Sequence, residues 1–153
     1  MKKNILAVFV LVLLLSGCAF FNKQSTNSND FVLDLSNQQL TKVPDYVFKQ
    51  TNLEELNVSN NQLTGALQAE IRHLQNLKIL NASNNKMTGV PAEIGQLSKL
   101  EILDLSNNQL TGLPHELGNL KNLKTLNLSG NNYSTLDLNI IMEKLPASVN
   151  IIK

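Results

Sequence analysis

The residues best equipped for chemistry are few and far apart. His115 and Glu116 open the stretch HELGN (115–119), close to the helical zinc motif HExxH, which needs a second histidine four positions after the first. Asn119 stands there instead, and the one other histidine, His73, falls in a different segment. Solvated surface histidines are therefore expected, and no metal site. Asp34 and Asp104 recur at equivalent points of a repeat, but they lie three strands apart, about 14 Å at the usual strand spacing. They are too far apart to share a calcium ion or to act as an acid–base pair. Cys18 is the single cysteine, which excludes an internal disulfide and any CxxC metal or redox motif. No glycine-rich phosphate loop and no nucleophile–base constellation is present. The reading is a non-catalytic chain with no cofactor.

Composition narrows the partners little further. The 153 residues are a one-domain length, with a formal net charge of +1 and so no basic field that would call for nucleic acid. Aromatic residues make up 5%, tryptophan is absent and Arg72 is the only arginine. Tight protein hot spots favour Trp, Tyr and Arg, and sugar-stacking surfaces need aromatic faces, so the surface is poorly stocked for both.

The elements that would position any site follow from a repeat. Aligned on Leu53, Leu77, Leu100 and Leu123, the chain recurs every 23 or 24 residues. Each unit runs leucine, two variable residues, leucine, one variable, an apolar residue, two variable, asparagine, one variable, an apolar residue. The asparagines are Asn61, Asn85, Asn108 and Asn131. An imperfect earlier unit keeps Leu33, Leu35 and Leu40 in phase but carries Gln38 in the asparagine position. The alternation in LEELNVS (53–59) puts Leu56 and Val58 on one face of a strand and Glu55, Asn57 and Ser59 on the other. One unit cannot enclose its apolar face, whereas stacked neighbours bury a continuous core.

This period and pattern resemble leucine-rich repeats, and later halves such as LTGLPHELGNLKN (110–122) resemble the bacterial and plant-like forms. The resemblance implies an α/β fold of about five repeats over residues 30–135. That fold is a right-handed solenoid with a parallel sheet on the concave side and short helical turns on the convex side. It also implies that the repeated asparagines form a ladder bonding backbone groups of their own turn and the neighbouring coil, for which an amide has both donors and an acceptor. Pro44, Pro91 and Pro114 are expected to open the convex segments at a first helical position. The second unit lacks this proline and has one extra residue in GALQAEI (65–71), which predicts a local bulge. After Tyr133 the period stops. Residues 136–153 read as a C-terminal cap, with LDLNIIMEKLP as a short amphipathic helix and SVNII as a terminal strand, and Phe31 with the first unit reads as the N-terminal cap.

The N-terminus has a different character. Two lysines precede an unbroken apolar run over residues 5–15, followed by Ser16, Gly17 and Cys18. A basic start, a short apolar segment and a small-residue exit describe a secretory signal, and 11 residues of helix, about 16 Å, are too short for a bilayer core of roughly 30 Å. LSGC (15–18) resembles the lipobox of bacterial lipoprotein signal peptides, which implies cleavage before Cys18 and acylation of that cysteine. An uncleaved anchor over residues 5–21 is the alternative reading. Residues 1–17 would then be a signal peptide and 18–29 the lipidated cysteine with a flexible polar tether. Loss of Lys2 and Lys3 would take the charge from +1 to −1. More than one acyl chain gives stable attachment. A Gram-negative cell would place the protein at the outer membrane, since Ala19 follows the cysteine, and a Gram-positive cell on the outer face of the plasma membrane. The sequons at Asn57, Asn81, Asn127 and Asn132 follow from the repeat consensus, and such a lipoprotein is not expected to use them.

Specificity must then lie in the variable positions of the concave face. A first column, Phe31, Glu54, Lys78, Glu101, Lys124, alternates in sign, so neighbouring strands are expected to neutralise one another. The next, Val32, Glu55, Ile79, Ile102, Thr125, sets two isoleucines side by side, either a contact patch or an effect of β-propensity. Two polar columns follow: Asp34, Asn57, Asn81, Asp104, Asn127, and then Ser36, Ser59, Ser83, Ser106, Ser129, where a polar ligand could bond. Glu55, Asn57, Ile79, Asn81, Ile102, Asp104, Thr125 and Asn127 are the candidate partner-binding residues. The expected role is a membrane-anchored, monomeric binding or scaffolding module for a protein or peptide. Two alternatives are a structural or adhesive envelope component and an inhibitor or regulator of an envelope enzyme.

Overall fold

The computed structural model describes residues 31–153. The signal segment 1–17, Cys18 and the tether to residue 29 lie outside the described residues. No helix among the described residues is long and apolar enough to cross a membrane.

The first strand, β1 (Val32–Asp34), is followed by β2 (Glu55–Asn57), β3 (Thr64–Gly65), β4 (Ile79–Asn81), β5 (Lys86–Met87), β6 (Ile102–Asp104) and β7 (Thr125–Asn127), then helix α1 (Thr135–Met142) and β8 (Asn150–Ile152). Six of the strands make one parallel sheet in the order β1-β2-β4-β6-β7-β8, and β3 pairs with β5 in a second, two-stranded sheet. The main ladder is in strict register: Leu33, Leu56, Leu80, Leu103, Leu126 and Ile151 are successive partners. Leu56, Leu80, Leu103 and Leu126 are at most 1% exposed, and each contributes roughly 1.5–3 kcal/mol by leaving water. The core continues outward through Leu53, Leu77, Leu100 and Leu123 to the convex side.

On the convex side the chain forms 3-10 turns at Val47–Lys49, Ala69–His73, Ala92–Gln96 and His115–Asn119. Each buries one or two residues, such as Ile71, Ile94 and Leu117, and leaves its charged residues exposed or half-buried at the surface. The prolines do not sit at the first helical position. Pro91 and Pro114 precede the turns in extended conformation, φ −71° and ψ 141°, and φ −69° and ψ 133°. Pro44 stands further back, its carbonyl accepting from Val47 N at 3.0 Å. A fixed φ near −65° suits an extended residue as well as a helical one, so the ring sets the approach to the turn. Gln68 takes that position in the second unit with almost the same backbone, φ −66° and ψ 143°. Its side-chain amide donates to Val43 O on the preceding coil, a bond no proline could make. The extra residue of that unit is absorbed where Gly65 turns to φ +68° and its carbonyl receives both Thr88 N and Gly89 N.

The asparagines line up between coils. Asn85 Nδ2 donates to Val58 O on the previous coil (3.0 Å) and to Ala82 O on its own (3.2 Å), while its Oδ1 accepts from Leu63 N at 3.0 Å. Asn108 repeats this with Ala82 O, Leu105 O and Met87 N, and Asn131 with Leu105 O, Leu128 O and Leu110 N. Asn61 closes the series, accepting from both Gln38 N and Leu40 N. Gln38 thus joins the ladder through its backbone. Asn61, Asn85 and Asn108 are buried and Asn131 half-buried, and their hydrogen bonds remove the penalty of an unpaired polar group.

The C-terminal segment closes the stack. Ser134 caps α1, its hydroxyl accepting from Asp137 N at 3.3 Å, a favoured N-cap arrangement. Leu138 and Ile141 of that helix are buried. The following β8 adds a sixth strand, with Leu128 N bonded to Ile152 O at 2.8 Å.

Candidate partner-binding face

The outward positions of the sheet form two rows across the strands. The upper row is Val32, Glu55, Ile79, Ile102, Thr125 and Asn150, each the register partner of the next. The lower row is Asp34, Asn57, Asn81, Asp104, Asn127 and Ile152 by the same pairing. All eight candidate residues therefore lie on one face. Ile79 and Ile102 are adjacent, with Ile102 37% exposed and Ile79 half-buried. Glu55 borders them on one side and Thr125 on the other. The sequence reading left Asn150 and Ile152 out of the rows, because the 23-residue period ends before them and only SVNII marks a strand there.

At the entrance to the strands the charges pair. Lys78 Nζ lies 2.7 Å from Glu54 Oε2, and Lys124 Nζ 2.7 Å from Glu101 Oε2. The hydrogen bond to Glu54 holds the Lys78 ammonium above its ordinary pKa, and Glu101 and Glu55 add to this at longer range. Exposed pairs of this kind contribute little to stability, so their main effect is to cancel both lysines of the face.

The lower row is partly committed to the fold. Asp34 Oδ1 accepts Ser36 N at 2.8 Å, Asn57 Oδ1 accepts Ser59 N at 3.1 Å, and Asp104 Oδ1 accepts Ser106 N at 2.9 Å. Each is a side-chain turn that closes the strand. The backbone N–H of Ser36 is the main cause that keeps the Asp34 carboxyl below its ordinary range. Asp104 Oδ2 also accepts from Asn127 Nδ2 at 3.1 Å.

The serine column departs from expectation. Ser59, Ser83 and Ser106 are only 4–6% exposed. Ser83, Ser106 and Ser129 donate their hydroxyls to Asn81, Asp104 and Asn127 at 2.7, 2.6 and 2.8 Å. The strands end after three residues and the chain turns at Asn60, Asn84 and Asn107, whose φ angles of 54°, 55° and 52° are left-handed. That turn carries Ser59, Ser83 and Ser106 inward, so the strict alternation read over 53–59 fails at Ser59, while Ser36 and Ser129 in the end units stay half-buried. Asparagine tolerates this backbone better than most residues.

Other candidate chemistry is placed elsewhere. HELGN forms a convex turn in which His115 Nε2 lies 3.8 Å from Asp137 Oδ1 of α1, and His73 lies two coils back at the end of another turn. Asp34 and Asp104 are separated by β2 and β4. Asn132 is exposed, whereas Asn57, Asn81 and Asn127 sit within strands.

Six short parallel strands backed by 3-10 turns and an inter-coil asparagine ladder define a leucine-rich repeat solenoid. The Leucine rich repeat family profile matches residues 32–87 and 76–133, and the chain belongs to that family. No curated protein matches it. Among solved structures, an LRR protein of Leptospira interrogans is similar at 43% identity, with a TM-score of 0.70, over 75% of this chain and 29% of that one. The LRR ectodomain of the Arabidopsis thaliana receptor kinase SOBIR1 matches at 36% identity and a TM-score of 0.60, over 67% and 56%. That of Arabidopsis GASSHO1/SCHENGEN3, in complex with CASPARIAN STRIP INTEGRITY FACTOR 2, matches at 35% and 0.60, over 72% and 13%. The chain thus spans under two thirds of the length of each. Leucine-rich repeats are typically protein–protein interaction modules, generally without catalysis.

Proposed function

We propose that the protein is a non-catalytic binding module that presents its concave sheet to a protein or peptide partner, held at a membrane of the cell envelope through lipidated Cys18. The observation that carries the reading is the Ile79–Ile102 pair, neighbouring apolar residues turned outward in register on the two middle strands of the sheet. Their branched side chains add nothing to the core from that side, and a contact surface gives them a use. A similar plant ectodomain in complex with a partner shows that this kind of scaffold can serve such a purpose. The anchor is supported by LSGC (15–18), by its place behind the apolar run and by the absence of any other cysteine.

Affinity capture with the full chain tests the binding reading. A specific partner should be lost on Glu55→Ala, Ile79→Ala or Ile102→Ala and kept on substitution of convex residues such as Glu93. A partner retained by all three concave variants would refute it. Mass analysis of the mature N-terminal peptide tests the anchor: an acylated Cys18 is expected, and an intact Met1 with an unmodified cysteine would refute it.

A further inference from the structure

The concave face has a charge of its own. Its exposed columns carry five carboxylates, Asp34, Glu54, Glu55, Glu101 and Asp104, against two lysines, Lys78 and Lys124. Both lysines are bonded to Glu54 and Glu101, which leaves Asp34, Glu55 and Asp104 without a cation among the described residues and the face at −3. The other described residues carry eight cations and six carboxylates, a balance of +2. A nearly neutral protein has therefore gathered its negative charge on the sheet.

Two of these three carboxylates border the apolar pair, while Asp34 lies on β1, two strands from Ile79. Glu55 precedes Ile79 in the upper row, Asp104 lies two residues along β6 from Ile102, and Asp34 lies two residues along β1 from the exposed Val32. Strands about 4.8 Å apart put Glu55 roughly 10 Å from Ile102, a span that an extended chain covers in about three residues.

We infer that the concave face selects a basic–aliphatic segment of a partner: an extended stretch whose Val, Leu or Ile side chains cover Ile79 and Ile102 while its Lys or Arg side chains meet Glu55 and Asp104. The inference rests on the binding reading above and adds the chemistry of the partner. Opposite charge speeds encounter and rejects acidic competitors, and the aliphatic contact supplies the desolvation that a rim charge alone does not. Aromatic anchors are few on this surface, so affinity comes from the charge pattern and from modest apolar contact.

Fluorescence polarisation with the full chain tests this using three octapeptide probes. One alternates lysine with leucine or valine, a second has every lysine replaced by glutamate, and a third has every leucine and valine replaced by serine. The first should bind about ten-fold more tightly than either other probe, and more weakly as salt rises. Glu55→Gln with Asp104→Asn should reduce that binding about five- to ten-fold and flatten its salt dependence. Asp104→Asn keeps the oxygen that accepts from Ser106 and forfeits only the bond from Asn127 Nδ2, so the variant should still fold. Ile102→Ser should weaken binding, and Glu93→Gln on the convex side should leave it unchanged. Preference for the glutamate probe, lost on Ile102→Ser, would overturn the charge inference and leave the concave reading standing. Binding that ignores every concave substitution, or no binding of any probe, would overturn the inference, and the capture experiment judges the wider reading separately. Self-association abolished by Ile102→Ser would make the occupant a second copy of the chain, which also refutes it.

Discussion

Replacing Asn85 by alanine should leave one backbone group without a partner. Asn85 Oδ1 is the acceptor for Leu63 N at 3.0 Å, and Leu63 is 2% exposed, so water has little access. The carbonyls on the amide's other side are covered twice. Val58 O also receives Asn61 Nδ2 at 2.9 Å, Ala82 O receives Asn108 Nδ2 at 3.0 Å, and Ser83 O receives Asn60 N at 3.1 Å. The expected loss is therefore that of a single unpaired buried donor, about 1–3 kcal/mol, and not the larger sum that four lost bonds would suggest. In urea, with a slope of about 1–3 kcal/mol per molar, the midpoint should fall by about 1 M. Asn131→Ala should cost less, under about 1 kcal/mol, because Asn131 is partly exposed and water can fill the space it vacates. Asn85→Asp should be worse than Asn85→Ala at neutral pH, since its second oxygen would face Val58 O, Ala82 O and Ser83 O where an amide donor stood. Protonation would restore a donor, so that variant's carboxyl should titrate above its unfolded value. The variant should then be relatively more stable in acid and lose stability as pH rises. Equal losses for Asn85→Ala and Asn131→Ala, or an aspartate no worse than alanine, would refute the reasoning.

Gly95→Ala should destabilise by about 1–3 kcal/mol through overpacking, since its Cβ would lie 2.3 Å from Glu116 O on the next convex turn. Gly112→Ala, which would meet only Asp137 Oδ2 at 3.5 Å, should stay within about 0.5 kcal/mol, and thermal unfolding compares the two. Gln68→Pro should lie within about 1 kcal/mol of the parent in urea titration. It fits the backbone and restricts the unfolded chain, but it forfeits the amide bond to Val43 O. The Asp34 carboxyl should titrate below about 3.9 by NMR. Its bond to Ser36 N then stabilises the fold above that pH and is lost as pH falls through the lowered value, whereas a midpoint at or above 3.9 would contradict this.

The repeat was readable because each coil is specified locally and repeatedly. A leucine every 23 or 24 residues and an asparagine in a constant position leave little freedom in register, so the buried face, the asparagine positions and the outward rows follow from spacing, and the parallel ladder from the resemblance to leucine-rich repeats. The eight concave residues lie on one face for the same reason. The opening of the convex turns was less legible, because an extended proline and a helical proline share one φ and differ only in ψ, which local composition does not set.

By itself, the sequence determined that stacked coils of about 23 residues would bury their leucines and leave one variable row per coil. Tertiary structure alone decided what that row contains. The left-handed turns at Asn60, Asn84 and Asn107 drew Ser59, Ser83 and Ser106 inward, and the pairing of β8 with β7 brought Asn150 and Ile152 into the outward rows. Each outcome depends on contacts between residues more than twenty positions apart or on a turn angle that several residue types can adopt. Periodicity records which side chains must be inside, while the partners found across neighbouring coils settle which of the remaining ones stay free.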